Sequence, residues 1–497
     1  MKDSTMFFTA ILDWCDLKNC LLMLGLLLLF IRSRKKGNSD FPPGPWVIPL
    51  LHDILVGFGH HTIDKIAQRY GHIFSIRRGG IKIVYVSGFK MAHEVLVTQG
   101  DNFLDRPVSP LLNEAFKGNG ISASNGYRWR RQRHFSVSHI YPFGDGRRAL
   151  ELNILRECAL LTEAIQEEIG VAFDPYTKIT NAVTNVIGFL VFGKCFNNSS
   201  GDFQTLLNLS AETGSLVRTP LAQLYDICPW LMKRFPGPRE TILSNYSKVA
   251  AFLRKQIEIH KKDWDPFHHR DFIDSYIGEI DKRRKDREAG FQVENLVYCT
   301  LDMFEAGTET MTSTLRWALL FMMKYPEVQK AVQAEIDRVV GQSRQPSLAD
   351  KVNMPYINAV LHETQRVASI LPFSTPRVAR RDTTLGGYLI PEGTVVITSL
   401  SSVLHDKSKW MTPDKFNPNH FLDSQGLFWK REAFFAFSAG KRMCLGEQLA
   451  QMELFLFFTS LLQRFTFSSP HGVEPSPKTQ GMTVMSPKPF KVWVSTR

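Results

Sequence analysis

The segment FAFSAGKRMCLGEQLAQMELFLFF, Phe435–Phe458, constrains this chain more than any other. A loop bearing Gly440 leads to Cys444, and Gly446 opens a long apolar stretch with helical character. Cys444 therefore stands close to a helix N-terminus, where free backbone N–H groups and the helix dipole favour a thiolate over a thiol. Arg442, two residues earlier, can meet a carboxylate. Glycines at 440 and 446 let a flat group approach the backbone, and Phe437 can shield the sulfur from water. A lone cysteine in a loop before a helix is more often simply buried. The whole pattern, Phe437-x-x-Gly440-x-Arg442-x-Cys444-x-Gly446, is what sets this one apart.

The remainder reads as one large unit. Its 497 residues contain no linker that would divide them, and a composition of 44% hydrophobic and 22% charged residues is that of a globular protein. Such a chain has interior enough to enclose a bulky cofactor. Seven scattered cysteines without a C-x-x-C argue against a disulfide framework and fit a reducing compartment. The N-x-S sequons at Asn197, Asn198, Asn208 and Asn245 are then chance matches.

Cys20–Ile31 reads CLLMLGLLLLFI and is followed at once by RSRKK, Arg32–Lys36. A cleaved signal peptide has an apolar core of this length, but the basic cluster follows the run, where a stop-transfer signal belongs. Residues 1–40 are therefore expected to be an uncleaved membrane anchor, with 41–497 on the cytosolic side. Asp13, Asp16 and Lys18 interrupt any extension of the span towards the roughly 20 residues a bilayer needs. FPPGPW, Phe41–Trp46, makes a stiff spacer. The formal charge of +12 includes only +2 from residues 1–40, so the body is strongly basic. In the absence of a nucleic-acid motif, this excess suits anionic lipid or an acidic protein partner.

An alternating β-branched run, His72–Val86, predicts a hairpin turning at Gly79-Gly80, and Thr384–Leu400 a second β region. Helical periodicity is clearest over Asn295–Lys324, Pro326–Val340, Asn358–Ala368 and Glu447–Arg464. The expected fold is mainly α with small β-sheets, an α+β arrangement.

The cysteine segment resembles the haem-binding signature of the cytochrome P-450 family at every defining position. The resemblance implies haem b (iron protoporphyrin IX) held between an oxygen-binding helix and the cysteine loop, with Cys444 as the axial metal ligand. The thiolate would donate electron density through iron, moderated by N–H groups pointing at the sulfur.

Three further constellations match the same family. AGTETM, Ala306–Met311, resembles its oxygen-binding segment: Ala306 and Gly307 would leave room over the iron, and Glu309 and Thr310 would relay protons. A threonine hydroxyl bonded back to a carbonyl is the plainer reading of Thr310. Relatives commonly carry Thr or Ser at the next position, which is Met311 here. HETQR places Glu363 and Arg366 three apart on one helix face, and KFNPNHFL supplies Phe416, Pro418, His420 and Phe421 as the companion motif. An exposed Glu–Arg pair contributes only about 0.3–0.5 kcal/mol, whereas in the family the pair locks the core behind the haem. YRWRRQR sets Trp129 and Arg133 four apart, and with Arg377 and Arg442 these are expected on the haem propionates. The outward arginines of that helix, with Lys441, would dock an acidic redox partner.

Gly118-Asn119-Gly120-Ile121-Ser122-Ala123 fits G-x-G-x-x-A, but no buried strand precedes it and no βαβ unit surrounds it. Lacking an evident NADPH or flavin site, the chain needs electrons from another protein; the resemblance implies NADPH-cytochrome P-450 reductase, sometimes aided by cytochrome b5. The resemblance is strongest to the microsomal, J-like branch of family 2, which implies an endoplasmic reticulum membrane protein that oxidises a lipophilic substrate. A haem-thiolate isomerase acting on peroxides without external electrons, or a non-catalytic haem sensor, are the alternatives. The pocket would be lined from Pro110–Phe116, Leu301–Ala306, Ile370–Phe373 and Met482–Val484. The apolar and basic segment Cys228–Phe235 reads equally as a membrane-dipping surface or as a cover for the core.

Overall fold

The computed structural model describes residue 25 and residues 40–45, 60–78, 81–141, 144–195, 201–481 and 484–497. Of the expected anchor, residues 1–40, all but Gly25 and Asp40 lie outside the described residues, as do the Gly79-Gly80 turn and Met482 and Thr483 of the expected pocket lining. Among the described residues, no helix is long and apolar enough to cross a membrane.

The fold is mainly helical with small sheets, as expected. The elements that frame the site are strands β1 (Ile73–Arg78) and β2 (Ile81–Val86), helices α1 (Gly126–Ile140), α2 (Tyr176–Phe192), α3 (Val293–Lys324) and α4 (Pro355–Ala368), strands β3 (Arg377–Val378) and β4 (Val395–Thr398), and helix α5 (Glu447–Arg464). The helices predicted by periodicity agree to within three residues at their ends. Charges sit where the helix dipoles favour them: Glu294 and Glu447 open α3 and α5, and Lys324 and Arg464 close them. Pro355 starts α4 at the position where its missing N–H costs nothing.

The hairpin forms with Ile73 opposite Val86, and β4 adds in parallel to β2 with Ile83 opposite Val395. The two-residue β3 closes the far edge, with Arg377 opposite Val396. This edge strand carries an arginine into the interior. The second β region divides into β4 and a separate hairpin, Thr383–Leu385 with Tyr388–Ile390, turning on Gly386 and Gly387.

The core gathers around α3, which is buried along most of its length and packs closely on α2. Gly307 makes that approach possible: a Cβ there would overlap the Ile187 side chain of α2. Gly307 is therefore a packing residue, and room on the cavity side comes from Ala306. Helix α5 buries Phe455, Phe457 and Phe458 completely, each contributing about 2–3 kcal/mol by burial.

Candidate functional site

Cys444 lies three residues before α5, with Gly446 as the helix cap. Its N–H donates to the Phe437 carbonyl at 3.0 Å, which closes the loop into a compact turn. Its sulfur is exposed by surface area yet enclosed by protein, because it faces interior space. Burial pushes the thiol up; the N–H groups of Gly446 and Glu447 and the Arg133 charge pull the other way without overcoming it. The dipole expectation thus holds in sign but loses in size. A cation on the sulfur would reverse the balance.

The two loop glycines play different parts. Gly440 has φ +74°, and a Cβ there would overlap the Leu96 carbonyl oxygen. Gly440 therefore serves the chain's own packing. Gly446 is open: an added Cβ would meet only Cys444 Sγ, at 3.9 Å. Gly440→Ala is expected to destabilise the fold by at least about 1–3 kcal/mol from the left-handed backbone alone, read as a lower thermal midpoint and loss of bound haem. Gly446→Ala should leave the midpoint almost unchanged.

Four arginines converge beside this loop. Arg442 is buried and donates to Leu104 O at 3.1 Å, Ser124 O at 2.8 Å and Asn125 Oδ1 at 2.9 Å, with its guanidinium 3.8 Å over the Trp129 ring. Trp129 thus supports Arg442 as well as lining the site. Arg133, one turn along α1, donates to the Met443 carbonyl at 2.7 Å. Arg377 is 2% exposed, and its Nε has no partner. Arg106, missed by motif reasoning, donates to the carbonyls of Thr375 and Pro376 at 2.8 and 2.9 Å. Burial, then the charges of neighbouring arginines, lowers Arg442 to about 9; burial and Arg133 lower Arg377 to about 10.

Among the described residues none of the four has an ion-pair partner; Asp105, whose charge reaches Arg442, is paired to Arg380 at 3.1 Å. Burying so much positive charge without an anion is costly. Two haem propionates would supply the missing anions, so the donor set fits the cofactor.

Helix α3 forms the opposing wall. One cavity is lined by Thr310, Met311 and Thr314 from α3, by Ile370 and Leu371, and by Phe437 and Ala450 from the cysteine side. Ala306 and Glu309 are exposed on a helix otherwise largely buried. The Thr310 hydroxyl donates to Ala306 O at 2.7 Å, so the back-bonded arrangement is the one present. Its oxygen lone pairs remain free to accept.

Behind the site, Glu363 and Arg366 are fully buried, contrary to an exposed pair, with two contacts at 2.7 and 2.8 Å. Arg366 also donates to the carbonyls of Leu404, Pro413 and Lys415. His420 Nε2 accepts from the Thr412 N–H at 3.1 Å, so its Nδ1 carries the proton that faces Glu363 at 3.1 Å. On the outer side, Arg130, Arg133, His134, Arg380, Arg381 and Lys441 rim an open concavity of about 1020 Å³. Arg128 turns inward towards Gly118 O instead. The 118–123 glycines bind no nucleotide in this arrangement: a helix precedes them, and Gly120 N donates to Asn295 Oδ1 of α3 at 2.9 Å.

The family model for cytochrome P450 matches residues 41–494. The chain is 45% identical over 480 residues to cytochrome P450 2J2 of Homo sapiens, covering 95% of each. It is 47% identical over 444 residues to cytochrome P450 2J1 of Oryctolagus cuniculus, covering 89% of this chain and 88% of that one. Cytochrome P450 2F2 of Mus musculus is 37% identical over 467 residues, 93% of this chain and 95% of the relative.

Proposed function

The chain belongs to the cytochrome P450 family and is a haem b monooxygenase, and from that premise we propose which of its residues do the work. Haem b, when bound, supplies the activation of dioxygen and the transfer of one oxygen atom into a C–H or C=C bond. Cys444 would hold the haem iron through its sulfur. Arg442, Arg133 and Arg377, with Trp129, hold the propionates, and Arg106 adds a fourth cation. Phe437 would cover the sulfur, while Gly446 and Ala306 would leave room for the cofactor on the cysteine side and on the α3 side. The observation that carries this reading is the group of four arginines without ion-pair partners among the described residues, Arg377 and Arg442 buried and Arg106 and Arg133 half-buried, beside Cys444.

Thr310 holds water at its hydroxyl oxygen, and Glu309, exposed one residue earlier, links that water to solvent. Thr310→Ala should retain haem and lower product formed per NADPH consumed by roughly tenfold. Equal coupling in variant and wild type would remove Thr310 from the proton path.

Electrons come from NADPH through cytochrome P-450 reductase, docked on the basic concavity around Arg130 and Lys441, with cytochrome b5 as an auxiliary donor. The substrate is lipophilic: a fatty acid such as arachidonate, a steroid or a xenobiotic, hydroxylated or epoxidised. Residues 1–40 anchor the chain in the endoplasmic reticulum membrane, and 41–497 form the cytosolic catalytic domain. Reconstitution with reductase, NADPH and a lipid and drug panel tests this. Oxygenated product should require all three components, and turnover of peroxides without reductase would point instead to an isomerase.

A further inference from the structure

One side of α3 is open, and its Thr310 lines the cavity shared with Phe437 and Ala450. Asp302, Glu305, Ala306, Glu309 and Thr310 are half-buried or exposed, while Leu301, Met303, Phe304 and Thr308 between them are buried. Gly307 is half-buried too but packs on Ile187; at 3.6 residues per turn the other five share one side of the helix.

The three acids on this side are not equivalent. Asp302 is saturated: it accepts from the N–H groups of Ile121 and Ser122 at 2.6 and 3.0 Å and from the Ser122 hydroxyl at 2.5 Å. Glu309 is exposed. Glu305 is half-buried and takes no hydrogen bond and no ion pair among the described residues. The charged and titratable groups that act on it are Asp302 and Glu309 on its own helix and Tyr246 on the Pro238–Lys262 helix. None of them is a cation. Tyr246, which feels the Glu305 charge, packs its ring against Phe116 at 5.0 Å, so the acid has aromatic neighbours. Burial first, then Asp302 and Glu309, pushes Glu305 up to about 8.

An unpartnered acid in such surroundings costs stability that an apolar side chain would not. It also stands where the sequence places the substrate, between the Pro110–Phe116 helix and Ala306. We propose that Glu305 is a specificity-determining residue whose carboxylate pairs with the ammonium group of a lipophilic cationic substrate lying along α3. The inference rests on the monooxygenase reading above and narrows its substrate class. Near pH 7 and without a cation the carboxyl is largely protonated, so it does not repel neutral lipids. An arriving ammonium supplies the missing counter-charge, and the proton leaves to solvent. Anchored there, the nitrogen lies about 7.5 Å along the helix axis from Thr310, which leaves an apolar part of the substrate over the reacting centre.

Equilibrium dialysis of the full-length holoprotein against dodecyltrimethylammonium, dodecanol and dodecanoate, below their micelle concentrations, tests this without turnover. The quaternary nitrogen cannot ligate iron, so binding reports the cavity alone. The cation is expected to bind about tenfold more tightly than the alcohol, and Glu305→Gln to bring that ratio close to one. Glu305→Asp, which keeps the charge, should retain an intermediate preference and guards against a Gln variant that loses haem. A ratio unchanged in Glu305→Gln, or dodecanoate binding more tightly than the cation, would overturn the proposal. Selective cation binding in a protein that turns over nothing with reductase and NADPH would leave Glu305 in place and sink the monooxygenase scheme instead.

Discussion

The Cys444→Ser protein is expected to lose the thiolate signature in the absorption spectrum of its reduced, carbon monoxide-treated form, together with its oxygenase activity. Removing a group that merely supports a metal ligand costs 10–100-fold, so losing the ligand itself should exceed roughly a hundredfold. A hydroxyl does not ionise beside Gly446 and Glu447 as a thiol can, because the N–H groups already fail to offset burial for the softer sulfur. The arginines beside the loop do not touch the Cys444 side chain; Arg133 reaches the neighbouring Met443 carbonyl. Haem content should therefore fall less than activity, and titrating haem into the apoprotein separates the two effects. An unaltered spectrum with full activity would place the ligand elsewhere.

Arg366→Leu should be the most destabilising single change in the chain. It strands the buried carboxylate of Glu363 and three carbonyl oxygens, of Leu404, Pro413 and Lys415, at once. Breaking one side of a buried pair costs about 3–5 kcal/mol, and each orphaned acceptor adds to that. Arg366→Lys should rescue little, because one ammonium cannot span acceptors arranged around a planar guanidinium that also stacks over Trp410 at 5.2 Å. Thermal unfolding of both variants measures this. A midpoint within a degree or two of wild type would show that the cluster is not what joins α4 to the 404–421 segment.

These two cases also show what the sequence made legible. The cysteine motif depends on spacing along one loop, so its geometry could be read directly, and the long helices followed from periodicity. Depth could not be read in the same way. Glu363 and Arg366 look the same three apart on a surface helix as in a core, and only the packing of 404–421 over them raises their weight about tenfold. Arg106 carries no motif; its place among the buried cations follows from the 102–106 segment pairing with β3, where Val378 N bonds Asp105 O at 2.8 Å. From the sequence, Gly307 is expected to leave room over the iron and Gly440 to let a flat macrocycle approach, and in this chain an added Cβ would meet the Ile187 side chain at the first and the Leu96 carbonyl at the second. Glycine in a motif marks a close approach without saying to what.

Asp302 ties the loop at 120–122 to the same helix that presents Thr310. Gly120 is bonded to Asn295, has φ +86°, and would bring an added Cβ within 2.6 Å of Asp302. The 120–122 loop is therefore not an independent flap: lifting it means unfastening four hydrogen bonds to α3 together. Any motion of that loop must break all four before it gains a new contact, so the loop and the helix that bears Thr310 move as one body.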